Sequence, residues 1–512
     1  MKVFSHIFKI TKSNNRTKVE SSPEKLVFLL FFLFQIIVFY PALRNPKPWS
    51  DDWTYIYFAN DSSRNIVHDA IAAGRPILGF LVQLAHQSDL FIRNPLLLQI
   101  SSLIGLYILQ ISLFSKLKKK GLSKSMLILT PLLMILIPGI QGYVYFLSCF
   151  PYTWACLFGF LSFDLISSRT PTRKVTGYSL FIVAFLIYPT GAMFYFLSYF
   201  IDFIIRYDQE KEFCGNIRNL IQISVRLLVP GTVGMIIVRL VRTATNIEEA
   251  SRIELINNIE SSFDKTAWVL TRLFVSEFRL FTVSSPTPSR AAIETSLVFA
   301  LLMFFILKPL DNLTFNRLLN FVLVIFLPLF GALPNLVILE NQFEFRTLTS
   351  THVMSLILWT YCLQRMSDRV SGINHARKAL YRQNSGRLTV FVCILLLMTI
   401  LFNTQRDSRK LWVEPSSIRD NITWSALQKL DVNSTEPICM VIPSSVYTPL
   451  NKLGVYSMKS DLASSWVTEP YMRLKLEQSN LDLGREIFVA REFTECKSPS
   501  IVINYSALGS SN

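Results

Sequence analysis

Apolar blocks long enough to cross a bilayer recur along this chain, and short basic segments separate them. That alternation admits few folds, because a lipid-embedded backbone must satisfy its own hydrogen bonds, and a helical bundle does so segment by segment. Residues 26–43 and 95–114 read as single spans. The block 126–166 is basic at both ends, so it crosses an even number of times and should break near residues 139–141. Residues 178–205 are also flanked by basic segments, with a break at Tyr188-Pro189-Thr190-Gly191 that gives two short helices. Further spans fall at about 221–241, 292–308, 317–338, 347–363 and 388–403. The expected fold is an all-α polytopic membrane protein of about 11 transmembrane helices, with residues 1–25 cytoplasmic and no internal repeat. The basic N-terminal region and first apolar run carry no small-x-small cleavage site, which points to an uncleaved signal anchor.

Charge supports this layout. The net charge of +16 would suit a nucleic-acid binder, yet 51% of the residues are hydrophobic and 17% charged. Segments 1–25, 116–124, 167–177, 206–218, 308–317 and 364–387 hold 25 Lys/Arg against 7 Asp/Glu, a net of +18, which leaves the rest of the protein at −2. The whole basic excess lies between apolar blocks, as the positive-inside rule requires of cytoplasmic loops, and nucleic acid is excluded as a partner.

The sizeable polar segments then fall on the outer face: loops 44–94 and 242–291, and residues 404–512. In the second loop, Ile256, Ile259, Phe263, Ala267, Leu270, Phe274, Phe278 and Phe281 make one helical stripe. Such a helix is expected to lie in the membrane interface or to roof the bundle, and two readings stand for it, a lid over a lipid substrate and a structural packing helix. Residues 404–512 are expected to form a small periplasmic α/β domain, with strands at 438–442, 487–490 and 501–505. Cys439 and Cys496 are the only two cysteines there and, in an oxidising compartment, are expected to pair. The other five cysteines lie in or beside apolar segments and read as small buried hydrophobes.

The longest cytoplasmic loop, 364–387, is far below the size of a nucleotide-binding domain, and no Gly-rich phosphate-binding motif occurs. A transferase with this layout should use a donor already anchored in the lipid. The chemistry such a donor needs is present in the first outward loop. Asp51 and Asp52 follow the first span, flanked by Trp49, Trp53, Tyr55 and Tyr57. A carboxylate can take the proton of an attacking hydroxyl. Arg75, and Arg346 in the short outward loop 339–346, offer guanidinium forks that match phosphate oxygens. Trp53, beside the acids, is expected to contact the acceptor. Each residue also has a plain interfacial reading, since Trp, Tyr and Arg belong at the headgroup level of any membrane protein. His68, His86 and His352 have no metal-ligand spacing.

Ser50-Asp51-Asp52-Trp53, then Gly74-Arg75-Pro76, then Asp89 and Pro95 before the second span resemble the bacterial serotype-converting O-antigen glucosyltransferases, a family of GT-C-type membrane glycosyltransferases. The resemblance lies within residues 45–100. It implies a GT-C-like catalytic bundle over residues 26–403. It further implies transfer of glucose from undecaprenyl-phosphate-glucose to lipid-linked O-antigen on the periplasmic face of the bacterial inner membrane, modifying serotype. In that group the first acid of the pair is usually the base, which ranks Asp51 above Asp52. The implied partners are the polyprenyl-phosphate sugar, the acceptor, membrane lipids, a flippase and a donor-synthesising transferase. No cofactor is implied with certainty, and a divalent metal is left open. Two other functions fit a multi-span chain: an O-antigen polymerase, and a lipid or oligosaccharide flippase.

Overall fold

The computed structural model of the 512-residue chain describes residues 22–48, 51–58, 66–206, 213–250, 259–269, 315–338, 345–373, 401–402, 414–430, 436–442, 465–479, 487–490, 495–496 and 501–505. These residues are mostly helical, with one small sheet.

Helix α1 (Ser22–Arg44) is apolar almost all round. One stripe, Phe31, Phe34, Val38, Phe39 and Ala42, is buried, and Phe28 and Phe31 meet Phe114 edge-on at 5.7 and 5.9 Å. The opposite side leaves Leu26, Leu29, Leu30, Phe32, Leu33 and Ile37 exposed. A contiguous apolar face of this size suits lipid, where the exposed side chains meet hydrocarbon instead of water. Short helices α2 (Asp51–Tyr57), α3 (Ile66–Ala72) and α4 (Pro76–Gln87) follow, then the long α5 (Pro95–Lys119).

Helices α6 (Lys124–Met134) and α7 (Pro138–Tyr145) are bent by 50°. The expected break at residues 139–141 falls inside α7, and the bend lies just before it, because Pro138 cannot continue α6 and opens α7 instead. A 3-10 turn, Leu147–Cys149, leads into α8 (Tyr152–Ile166). Helix α9 (Pro171–Ile187) ends at the Tyr188-Pro189 break, and α10 (Phe194–Arg206) follows. The break packs on α8 at Gly159, where a Cβ would lie 2.7 Å from the carbonyl oxygens of both Gly191 and Ala192. Only a glycine allows that approach.

Helix α11 (Phe213–Thr245) is long and exposes Ile221, Val225, Leu228, Val229, Met235, Ile236 and Leu240. Then come α12 (Ile259–Trp268), α13 (Phe315–Phe326) and α14 (Thr349–Ile373).

The expected count of eleven crossings is corrected. Among the described residues five helices are long and apolar enough to cross a membrane, or six if the bent pair is one span. The expected pair within 178–205 is two helices of 17 and 13 residues, short for independent crossings. Helix α14 has 25 residues, but buries Thr349, Ser350, Thr351, His352, Ser355 and Thr360, a polar stretch that lowers its hydropathy. The span expected at 292–308 lies outside the described residues, and of the one expected at 388–403 only residues 401–402 are described.

Over α12 the described stripe residues Phe263 and Ala267 lie on the exposed side of the helix. Phe263 is 72% exposed and Lys265 only 5%, with the Lys265 ammonium 4.5 Å from the Trp268 ring centroid. Trp268 packs against Leu329, Ala332 and Leu348, and draws the lysine side of the helix inward. The remainder of the stripe, Ile256 and Leu270–Phe281, lies outside the described residues.

At the C-terminal end α15 (Glu414–Leu427) and α16 (Ser465–Gln478) accompany a three-stranded parallel sheet of order β2-β1-β3. The strands are β1 (Ile438–Val441), β2 (Ile487–Ala490) and β3 (Ile501–Asn504), with Cys439 opposite Phe488 and Val502. Every residue of the central strand is buried, as expected of a parallel strand paired on both edges. Cys439 is joined to Cys496 by a disulfide. Closing a loop of 57 residues stabilises the folded state by about 4 kcal/mol in the chain-entropy model. Limited proteolysis of the full-length protein should therefore cut residues 404–512 faster under reductant, and a C439S/C496S variant should be fast under both conditions. Alkylation of both thiols without reductant would contradict the pairing.

Candidate active site

Gly74-Arg75-Pro76 is a joint between two helices. Gly74 has φ +74°, a left-handed conformation that ends α3, and Pro76 opens α4 with a φ already suited to a first helical turn. Arg75 is the N-cap residue of α4. The carbonyl end of α3 is tied down by Arg242, whose guanidinium donates to the oxygens of Ile71 (3.1 Å) and Ala72 (2.8 Å). The joint thus sets a cation beside the free N–H groups at the start of a 12-residue helix.

Aromatic rings hold that cation. Tyr152 and Tyr188 stack face to face at 3.9 Å, the Arg75 guanidinium lies 5.2 Å from the Tyr188 ring centroid, and its Nη1 donates to Tyr152 Oη at 3.4 Å. Tyr143 meets both rings edge-on and donates its hydroxyl to the Arg346 carbonyl at 2.6 Å. The Arg346 guanidinium lies 4.7 Å from the Phe146 ring centroid. Arg75 and Arg346, 271 positions apart in sequence, line one cleft of about 80 Å³ with Tyr55, Asp69, Ser148 and Tyr188. Among the described residues Arg75 has no carboxylate partner, and its buried Nε has no hydrogen-bond partner. Two arginines lining one small space carry the charge and the donors that a multiply charged anion would need.

The acidic pair divides. Asp51 opens α2, and its side chain lies outside the described residues. Asp52 is fully buried, and its carboxylate accepts from the backbone N–H groups of Leu147 and Ser148, each at 2.9 Å. It therefore anchors the 3-10 turn that brings Ser148 and Cys149 to the cleft. Among the described residues the acid that lines the cleft is Asp69 on α3, 48% exposed, with His68 Nδ1 3.9 Å from its carboxylate. Sequence reasoning missed it, since a single acid on a short helix carries no motif.

Trp53 lies under the C-terminal domain. Its ring meets Tyr471 edge-on at 5.1 Å, and the Arg419 guanidinium stands 5.2 Å from it and 4.4 Å from the Tyr471 ring. The fully buried Arg419 donates to Asp420, which also receives the Tyr471 hydroxyl at 3.0 Å and the Lys47 ammonium at 2.8 Å. Burial alone would raise the Asp420 carboxyl. Arg419, Lys475 and the bond from Lys47 outweigh it and hold the group well below the usual carboxylate range.

No group of three or more His, Cys, Asp or Glu able to hold a metal ion is found among the described residues, and both oxygens of Asp52 face backbone N–H groups. Comparison with protein-family models and with curated proteins gave no match.

Two outcomes are expected. Asp52→Asn turns an N–H group toward a backbone N–H, so it should destabilise the fold by about 1–3 kcal/mol, read as a lower Tm, while Asp69→Asn leaves Tm unchanged. Docking of the C-terminal domain should weaken in acid. The folded Asp420 pKa lies below its unfolded value, so its contribution is complete above the ordinary carboxylate range and is lost as pH falls through the depressed value. Protease sensitivity of residues 404–512 should rise on acidification, and Asp420→Asn should remove most of that dependence.

Proposed function

We propose that this protein is a membrane glycosyltransferase that takes a sugar from a polyprenyl-phosphate carrier. The observation that carries the reading is the convergence of Arg75 and Arg346 on one cleft that also holds Asp69. Transfer from a phosphodiester-linked sugar releases a lipid phosphate monoester with one more negative charge than the donor. Two guanidiniums neutralise that charge as it develops, and their geometry suits phosphate oxygens. The acceptor hydroxyl attacks the anomeric carbon, the bond from that carbon to the phosphate oxygen breaks, and the hydroxyl proton passes to a carboxylate. Asp69 supplies that carboxylate on the geometry of the cleft. Asp51 supplies it on the resemblance to the O-antigen glucosyltransferases. Asp52 acts as a positioning residue through the Leu147–Cys149 turn.

The finer reading follows that resemblance: a glucosyl residue moves from undecaprenyl-phosphate-glucose to lipid-linked O-antigen at the periplasmic face of the inner membrane. Placement of residues 404–512 on the outer face belongs to the same proposal.

The test is a transfer assay with the purified protein in vesicles carrying labelled polyprenyl-phosphate-glucose and lipid-linked O-antigen. Transfer is expected. Arg75→Lys and Arg346→Lys, which keep the charge and lose the fork, should each cost about 10- to 100-fold. The variant that removes the base, Asp51→Asn or Asp69→Asn, should lose about 10²- to 10⁴-fold at normal protein levels. Near-normal transfer by both would overturn the base assignment, and no transfer by the unaltered protein would overturn the reading.

A further inference from the structure

The bundle holds a second polar cavity, at the opposite end from the arginine cleft. Tyr152 lines the cleft and Asp164 the second cavity, and twelve residues of α8 separate them by about 18 Å. This cavity, of about 300 Å³, lies between the ends of α8 and α10 and the first half of α11. Helix α11 presents Asn216, Asn219, Gln222 and Arg226 to it, at intervals that keep one helical face. Asp164, Ser167, Tyr199 and Asp202 line the other side.

Among the described residues the charges do not balance within the cavity. Lys116, only 5% exposed, reaches Asp164 at 2.6 Å and Asp202 at 3.6 Å, and Lys120 reaches Asp202 at 3.0 Å. The two acids are thus matched by two lysines. Arg226 has no carboxylate partner among the described residues, although it projects from a helix whose neighbouring Val225, Leu228 and Val229 are exposed and apolar. An unpaired guanidinium at the edge of the hydrocarbon zone is costly and calls for an anion. Asn219, Gln222 and Ser167 add donors and acceptors suited to hydroxyl groups. Lys118, Lys119, Arg169, Arg173 and Lys174 lie on the adjoining chain ends and loop, the basic side that attracts anionic lipid.

We propose that this cavity binds the headgroup of an anionic phospholipid with a polyol head, as in phosphatidylglycerol. Arg226 holds the phosphodiester, and Asn219, Gln222 and Ser167 hold the head hydroxyls. The site does not depend on the arginine cleft or on the sugar transfer assigned to it.

Native mass spectrometry of the full-length detergent-solubilised protein, titrated with phosphatidylglycerol, phosphatidylethanolamine or glycerol 3-phosphate, tests this. Phosphatidylglycerol should bind at least about 10-fold more tightly than phosphatidylethanolamine. That preference should fall about 10-fold or more in Arg226→Gln, fall less in Gln222→Ala, and be unchanged in Arg75→Gln. Both α11 positions are exposed, and an unaltered Tm shows that the variants fold. Equal binding of the two lipids, or full retention by Arg226→Gln, overturns the proposal. Glycerol 3-phosphate competing as well as the lipid also overturns it, by showing a site for a soluble phosphate.

Discussion

The buried carboxylate of Asp52 is the fastening on which the rest of the site depends. It accepts two backbone N–H groups from the Leu147–Ser148 turn, and so ties α2 to the core of the bundle. A carboxylate with no exposure is tolerable only when its lone pairs are so used. Its neighbours on α2 then acquire their places. Tyr55 reaches the cleft, and Trp53 lies beneath the C-terminal domain, packed on Tyr471 and Arg419. One seven-residue helix therefore couples three parts of the molecule: the domain that caps it, the turn it anchors, and the cleft it borders.

The cleft is assembled from cations that sequence keeps far apart and aromatic rings that hold them. A guanidinium against a tyrosine or phenylalanine face keeps its charge and its edge donors while shedding water, which strengthens its grip on an anion. Tyr143 links the two halves, since its ring meets Tyr152 and Tyr188 on the Arg75 side and its hydroxyl bonds the backbone of Arg346. The cap on α3 by Arg242 gives the joint at Gly74 a fixed geometry from a third segment.

Much of this was legible in the sequence where local chemistry dictates local structure. Gly74 and Pro76 mark a helix end and a helix start whatever surrounds them, and the three strands of the C-terminal sheet follow their apolar runs. Long-range consequences were not legible. Adjacent acids suggest shared chemistry, yet successive residues on a helix project to different faces, and Asp52 is committed to a backbone turn nearly a hundred residues away. Asp69 reaches the cleft because α3 packs there, which no spacing encodes. The crossing count was too high because apolar length alone does not separate a buried helix from one that crosses, as residues 178–205 show.

The central claim is that Arg75 and Arg346 together hold a lipid-borne phosphate. Equilibrium binding of a short-chain polyprenyl phosphate to the purified protein, set against the same alcohol without its phosphate, tests it most directly. The account predicts that the phosphate confers most of the affinity and that Arg75→Gln combined with Arg346→Gln lowers it by about 100-fold or more, with Tm unchanged. Equal affinity for the phosphate and the alcohol, or an undiminished affinity in the double variant, would contradict it.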